Sequence, residues 1–268
     1  MRLKISHTTR YSFDAPARYG LQQLRKTPKP THGQRVLSWQ TRVVGGAKEL
    51  SFEDHHHNLV ELIGFDVGTE TLEVSSEGEV ELGETHGVVG PHLGPAPLWL
   101  YLRQTVRTKA GPGVKALVRE VAGAGEPEGL DQLHALMAAV HGAVAYEVGA
   151  SHPDWGAEEA LAEGRGVCQD HAHVFTSAAR EIGFPARYVS GYLMLEDRVE
   201  QDAMHAWAEA HVEGLGWVGF DISNAISPDT RYVRVATGLD YSDAAPVSGT
   251  RIGGAGEVLE VQIDVSQQ

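Results

Sequence analysis

The 268-residue sequence has little cysteine and a deficit of positive charge. Its one cysteine is Cys168, which excludes an internal disulfide and favours a reducing compartment. Its 36 acidic residues outnumber the 22 lysines and arginines, giving a formal net charge of −14. This excess argues against nucleic acid or an anionic membrane surface as the main partner.

Long hydrophobic runs are also missing from the sequence. No segment is apolar over the roughly 20 residues that a membrane-spanning helix requires. The first residues, MRLKISHTTRYSF, do not contain the apolar segment of a signal peptide. We therefore expect a soluble protein of the cytoplasm with no membrane partner, and the sequence gives no indication of its oligomeric state.

The first third of the chain is made of short segments in which apolar and polar residues alternate. Pro16 interrupts the first segment, and Asp54–Asn58 resembles a hairpin tip. The spacing of segments and turns predicts an antiparallel β-sandwich over residues 1–105. The histidines at 55–57 alternate between faces, so an exposed polar turn is favoured over a metal site there. His171 and His173, two residues apart on a predicted helix, are likewise not expected to bind a metal.

A glycine- and proline-rich linker at 83–97 separates this region from one in which hydrophobic residues follow a helical period. Residues 130–144 fit a long amphipathic helix, and 114–121 a shorter one. Residues 106–268 are therefore predicted to form a second domain.

Cys168 lies between two glycines and a predicted helix that ends near Gly183. A thiol in the first turn of a helix meets unpaired backbone N–H groups and the positive end of the helix dipole. This environment favours the thiolate near neutral pH. The alternative from the local sequence is that Cys168 is a small buried hydrophobic residue.

Two further strands, AMHAWAEAHV (203–212) and WVGFD (217–221), are joined by a short turn. A hairpin of this length brings His205 and Asp221 to neighbouring positions on paired strands. A thiolate that attacks an acyl carbon requires a nearby base, and a carboxylate fixes the tautomer of a histidine base. Cys168, His205 and Asp221 could supply these three groups.

These residues fall in motifs that resemble the transglutaminase-like superfamily, and more closely the bacterial two-domain transglutaminase-like cysteine proteases. The motifs are GVCQDHAH (166–173), GFPARYVSGYL (183–193), MHAWAEAHVEGLGW (204–217) and FDISN (220–224). The family's cysteine, histidine and aspartate correspond to Cys168, His205 and Asp221. The β-rich N-terminal region of the family is matched at Ile5, His7, Thr9, Tyr11, Asp54 and Asn58.

The resemblance implies an α+β fold, in which an N-terminal antiparallel β-sandwich is followed by a papain-like/transglutaminase-like α+β catalytic domain. The chain departs from the family pattern at two places. It has Asp221-Ile222-Ser223-Asn224 where the family usually has Asp-Pro-Thr-Asn, and His171 where an aromatic residue is common. These departures bear on substrate fit and on the turn that holds Asp221.

The resemblance also implies acyl-thioester chemistry on a peptide or protein amide, with Cys168, His205 and Asp221 as the catalytic residues. Three functions remain open: a cysteine hydrolase, a transferase that passes a glutamine acyl group to an amine, and an inactive binding or scaffold protein. We expect hydrolysis, because the segments 149–170 and 196–202 are rich in Gly, Asp, Glu and His and suggest an open, wet cleft. No cofactor is implied, and no calcium loop of the D-x-D-x-D-G kind is found.

Overall fold

The computed structural model describes residues 1–123, 128–152 and 154–268. The first strands are β1 (Arg2–Leu24), β2 (Gln34–Val44), β3 (Gly46–Glu53), β4 (Leu59–Phe65), β5 (Thr69–Leu82) and β6 (Val88–Gly90). A 3-10 helix (Leu98–Leu102) is followed by α1 (Pro112–Gly123), α2 (Gly129–Ala143), β7 (Ala145–Tyr146), α3 (Ala157–Glu163), β8 (Arg165–Gly166) and α4 (Cys168–Glu181). The remaining elements are β9 (Ala186–Leu193), β10 (Glu200–Gln201), β11 (His205–Val212), β12 (Gly216–Phe220), β13 (Tyr232–Gly238), α5 (Tyr241–Ala244), β14 (Val247–Gly253) and β15 (Glu257–Gln267).

The long strand β1 organises the first sheet. Its N-terminal half pairs antiparallel with β5 on one side and β15 on the other, and its C-terminal half pairs with β4 and β14. The predicted interruption at Pro16 is wrong, because β1 continues through this residue. Irregular register between Ser12 and Tyr19 absorbs the proline, which lacks an N–H for the ladder.

The second sheet has the order β13-β9-β11-β12-β6 and packs against α4. Ala208 and Ala210 of β11 share a core with Phe175 of α4 and with the buried faces of α1, α2 and α3. The helices predicted from the hydrophobic period are confirmed, as is the α+β fold class. None of the helices within the described residues is long and apolar enough to cross a membrane.

Each of the two larger sheets includes strands from both sides of residue 105, where the sequence predicts a domain boundary. The C-terminal strands β14 and β15 return to pair with β1, and β6 of the predicted linker pairs with β12. An edge of β1 without these partners would leave a row of unpaired backbone groups. The first sheet is thus built from both ends of the chain, and the sandwich and the division into two domains stay predictions.

Candidate active site

Cys168 is the first residue of α4 and is partly exposed. The buried carboxylate of Asp170 accepts a hydrogen bond of 2.8 Å from the backbone N–H of Val167, which caps the start of the helix. A Cβ atom on Gly166 would lie 2.7 Å from the Asp170 side chain, so this turn accepts only glycine. The tight turn presents the thiol at the N-terminal end of the helix, as the sequence predicts.

The hairpin of β11 and β12 brings His205 next to Asp221, which confirms the predicted juxtaposition. Ala208 pairs with Phe220, so His205 and Asp221 lie near the same end of the two strands. The Nε2 atom of His205 donates a hydrogen bond of 2.7 Å to Oδ2 of Asp221. The Asp221 side chain is fully buried, whereas His205 is 12% exposed.

Two further side chains bind the Asp221 carboxylate. The Tyr232 hydroxyl and the Asn224 side-chain amide each donate to Oδ2 over 2.7 Å. Burial would raise the pKa of Asp221, but the hydrogen bond and charge of His205, followed by the bonds from Tyr232 and Asn224, lower it below its ordinary value. Asp221 is therefore a buried, fixed anion.

His205 lies between this anion and the Cys168 sulfur. Burial alone would lower the pKa of His205, but the charge of Cys168, the hydrogen bonds to Asp221 and Cys168 and the charge of Asp221 raise it to about 10. Because Nε2 binds Asp221, the nitrogen left to face the sulfur is Nδ1. Near neutral pH His205 is therefore an imidazolium, paired with the Asp221 carboxylate on one side and with the Cys168 sulfur on the other.

The pH dependence of thiol alkylation should report this pair. Because His205 holds its proton up to about pH 10, we expect iodoacetamide to alkylate Cys168 near its plateau rate already at about pH 7. In His205→Ala the rate should instead rise through roughly pH 8.5, the value of an ordinary thiol. Mass spectrometry of the single cysteine follows both reactions. Identical profiles of the two proteins, both centred near that ordinary value, would contradict the pair.

A cavity of about 780 Å³ opens beside Cys168 and His205 and is lined by both sheets. The N-terminal motif contributes His7, Thr9 and Tyr11, which lie on one face of β1 because they are two residues apart. The sequence alone did not indicate that these residues belong to the site. Their i, i+2 spacing indicates that they share one face of a strand, but it does not show that this face lines the same cavity as Cys168.

A chain of polar contacts runs behind this wall. The buried Lys26 ammonium donates a hydrogen bond of 2.6 Å to the Thr9 hydroxyl, which lies 3.2 Å from Nε2 of His7. The other ring nitrogen of His7 lies 3.1 Å from the Tyr192 hydroxyl of β9. Burial lowers the pKa of Lys26 to about 7. These contacts connect the first sheet to the strand next to β11.

The rings of His55 and His56 pack together at 4.0 Å between centroids, but the three histidines at 55–57 do not form a metal-binding group within the described residues. His56 is buried, with Nδ1 at 3.0 Å from the Tyr101 hydroxyl, and His57 instead contacts Glu53 on the surface. The prediction of an exposed turn is wrong for His56. The Asp54 carboxylate accepts from the backbone N–H groups of His56 and Asn58 at 2.9 Å each, and the tight turn directs His56 inward.

His171 and His173 are buried and serve the packing of α4. His171 donates from Nε2 to the Val144 carbonyl at 2.7 Å and accepts at Nδ1 from the Ser223 hydroxyl at 2.9 Å. Both family departures therefore meet in one contact, which ties α4 to the turn after Asp221. His173 accepts a hydrogen bond of 3.2 Å from the Tyr241 backbone N–H.

A partly exposed thiol at a helix start, beside a histidine–carboxylate pair, is the arrangement that cysteine nucleophiles use in acyl transfer. Comparison with known families agrees with this class. Residues 115–222 match the transglutaminase-like superfamily, and residues 3–81 match the bacterial transglutaminase-like N-terminal region. The chain thus carries a transglutaminase-like core preceded by this N-terminal region, which confirms the resemblance seen in the sequence.

Individual relatives extend the match over the whole chain. An uncharacterized protein of Mycobacterium leprae is 26% identical and covers 99% of both chains. An uncharacterized protein of Mycobacterium tuberculosis is 35% identical over 45% of this chain and 42% of its own. A solved structure described as a "putative cysteine protease" from Cytophaga hutchinsonii is 20% identical, covers 99% of this chain and 90% of its own, and superposes with a TM-score of 0.78. The fold is therefore shared, and the family supports a cysteine-dependent enzyme.

Proposed function

We propose that the protein is a cysteine-dependent hydrolase of peptide or isopeptide amides. The observation that carries this proposal is the 2.7 Å hydrogen bond between His205 and Asp221 beside a thiol at a helix start. In this proposal Cys168 is the nucleophile, His205 is the acid and base, and Asp221 orients His205. The intact set is also the reason to prefer an enzyme over an inactive scaffold.

The reaction divides into two steps. The Cys168 thiolate attacks the amide carbon, and its backbone N–H, with one further donor, stabilises the negative oxygen. The His205 imidazolium then gives its proton to the leaving amine, which leaves a thioester on Cys168. A water molecule, deprotonated by His205, attacks the thioester and releases the acid and the thiolate.

The cavity supports water as the acceptor. Four polar residues of the segment 198–204 line it, namely Arg198, Glu200, Gln201 and Asp202, as expected for a wet cleft. Transfer to an amine instead requires the exclusion of water from the thioester. The open cleft was also predicted from the composition of the segment 149–170, in which residue 153 lies outside the described residues.

A transferase is the second candidate, because Glu200 and Asp202 also line the cavity. Two carboxylates near the thioester would attract a cationic amine or a lysine side chain. The transferase and the hydrolase would share every step up to the thioester. They differ only in what resolves it.

Partition of the thioester separates the two candidates. A library of glutamine-containing peptides is incubated with the protein and increasing concentrations of a primary amine, and mass spectrometry distinguishes cleaved, deamidated and amine-linked products. We expect hydrolysed products to dominate at low-millimolar amine. Dominance of linked product would replace the hydrolase with the transferase, and the absence of any product with Cys168 intact would favour the scaffold.

A further inference from the structure

Asp221 is held by more than the histidine it orients. Its Oδ2 atom accepts three hydrogen bonds of 2.7 Å, from Nε2 of His205, the Tyr232 hydroxyl and Nδ2 of Asn224. A carboxylate oxygen with two donors besides His205 has little freedom to rotate. The groups that hold this oxygen, Tyr232 and Asn224, therefore also determine the orientation of the His205 ring.

Of the donors to the Asp221 carboxylate, Tyr232 is the one held most rigidly by its surroundings. It is 4% exposed at the start of β13, where it pairs with Leu193 of β9. Its ring packs edge-on against Trp207 at 5.5 Å between centroids, and the His205 ring stacks on Trp207 at 6.2 Å. Asn224, by contrast, is exposed in the turn after Asp221. The aromatic contacts thus hold the Tyr232 hydroxyl in place independently of the carboxylate.

The hydroxyl acts as a donor throughout the accessible pH range. Burial raises the pKa of Tyr232, and the charge of Asp221 and the hydrogen bond to it raise the value further. The proton therefore stays on the tyrosine, and the negative charge stays on Asp221. Together with the charge of Cys168, the hydrogen bond to this carboxylate keeps His205 charged.

We propose that Tyr232 is a positioning residue that sets the orientation and the ionisation of Asp221, and through it of His205. The inference rests on the proposed role of Asp221 in the reaction. Tyr232 is not among the residues that line the cavity, and its only contact with the His205 side chain besides the one through Asp221 is a tilted ring contact at 6.0 Å between centroids, which Tyr232→Phe would keep. No motif at Tyr232, which follows Asp221 by eleven residues, marked it in the sequence.

The test is Tyr232→Phe, which removes one oxygen atom and keeps the ring. Loss of a donor to a charged group should move the acid-side midpoint of Cys168 alkylation upward by about one pH unit, because Asp221 then takes a proton more easily. Turnover of the best amide substrate should fall about tenfold in kcat with KM unchanged. Asp221→Asn marks the limiting case, with a larger loss in kcat.

Apart from Tyr232, the titratable side chains around Asp221 are Cys168 and His171 of α4, Tyr146 of β7 and His205 of β11. Tyr232→Phe replaces none of them. Tyr101→Phe leaves all of them in place. It is the matched control, because Tyr101 is 2% exposed and its hydroxyl lies 3.0 Å from a histidine, His56, away from the cavity. We expect Tyr101→Phe to keep the native alkylation profile and kcat.

A native acid-side midpoint in folded Tyr232→Phe would overturn the proposal, whatever happens to stability. If circular dichroism shows that this variant does not fold, 3-fluorotyrosine is placed at position 232 instead. It keeps the ring and strengthens the donor, so the midpoint should move downward, and an unchanged midpoint would again overturn the proposal. Alkylation needs no substrate, so this result stands even if no amide hydrolysis is found.

Discussion

Replacing Cys168 with alanine is expected to abolish amide turnover, by roughly 10⁴-fold or more, while the fold is retained. The thiol is the group that forms the covalent intermediate, and no later step proceeds without it. Because the sequence has no other cysteine, no second thiol can take its place. Turnover is measured on the most reactive peptide from the amine-partition library, with circular dichroism to follow the fold.

Two controls separate loss of the nucleophile from loss of structure. Cys168→Ser keeps the size of the side chain and should lose nearly as much activity, since serine in this setting lacks thiolate reactivity. In the native protein, one equivalent of iodoacetamide should cause full inactivation, because it has a single target. Turnover in Cys168→Ala within about tenfold of the native value would assign the chemistry to another group.

The largest expected effect on stability comes from Glu209, which belongs to the His-Ala-Trp-x-Glu motif. Its buried carboxylate is bound by Arg187 and Arg234, each with a nitrogen 2.6 Å from a carboxylate oxygen. The Arg187 guanidinium also lies over the Trp217 ring at 3.7 Å. Glu209→Gln would leave two buried guanidinium groups without their counter-charge. We expect the free energy of unfolding in urea to fall by about 3–5 kcal/mol.

A surface pair of the same length provides the control. Arg35 and Glu81 are also 2.6 Å apart, but both side chains are largely exposed, at 71% and 48%. Glu81→Gln should change the unfolding free energy little, because water and salt screen an exposed pair. Equal effects of Glu209→Gln and Glu81→Gln would mean that the buried cluster contributes no more than a surface ion pair.

The pH dependence of stability gives a second readout for Glu209. Burial would raise its pKa, but the charges and hydrogen bonds of Arg187 and Arg234 lower it from 4.5 to about 2. A lowered folded-state pKa stabilises the protein above the unfolded value, and this stability is lost as the pH falls from about 4.5 towards 2. In Glu209→Gln this part of the acid-side loss should be absent from the unfolding curves.

Local patterns in the sequence were sufficient for the centre of the site. The helical period after Cys168 predicted α4, and the two glycines before it predicted the turn that exposes the thiol. The short turn between β11 and β12 predicted that His205 and Asp221 are neighbours, because a tight hairpin fixes which positions lie opposite each other. The motifs around these residues also indicated the family. The catalytic roles of these residues stay a prediction that the variants above test.

Contacts between distant segments were decided only by the tertiary structure. β15, at the end of the chain, pairs with β1, at its beginning. The alternation of apolar and polar residues predicts a strand in each case but does not indicate which strand it pairs with. For the same reason the sequence could not predict that His7, Thr9 and Tyr11 line the cavity, or that His56 is buried. Tyr232 reaches Asp221 because β13 pairs with β9, which in turn pairs with β11. The sequence by itself thus determined the thiol, its histidine and the aspartate, whose spacing is local. Packing between sheets decided what holds the aspartate and what lines the cavity beside it.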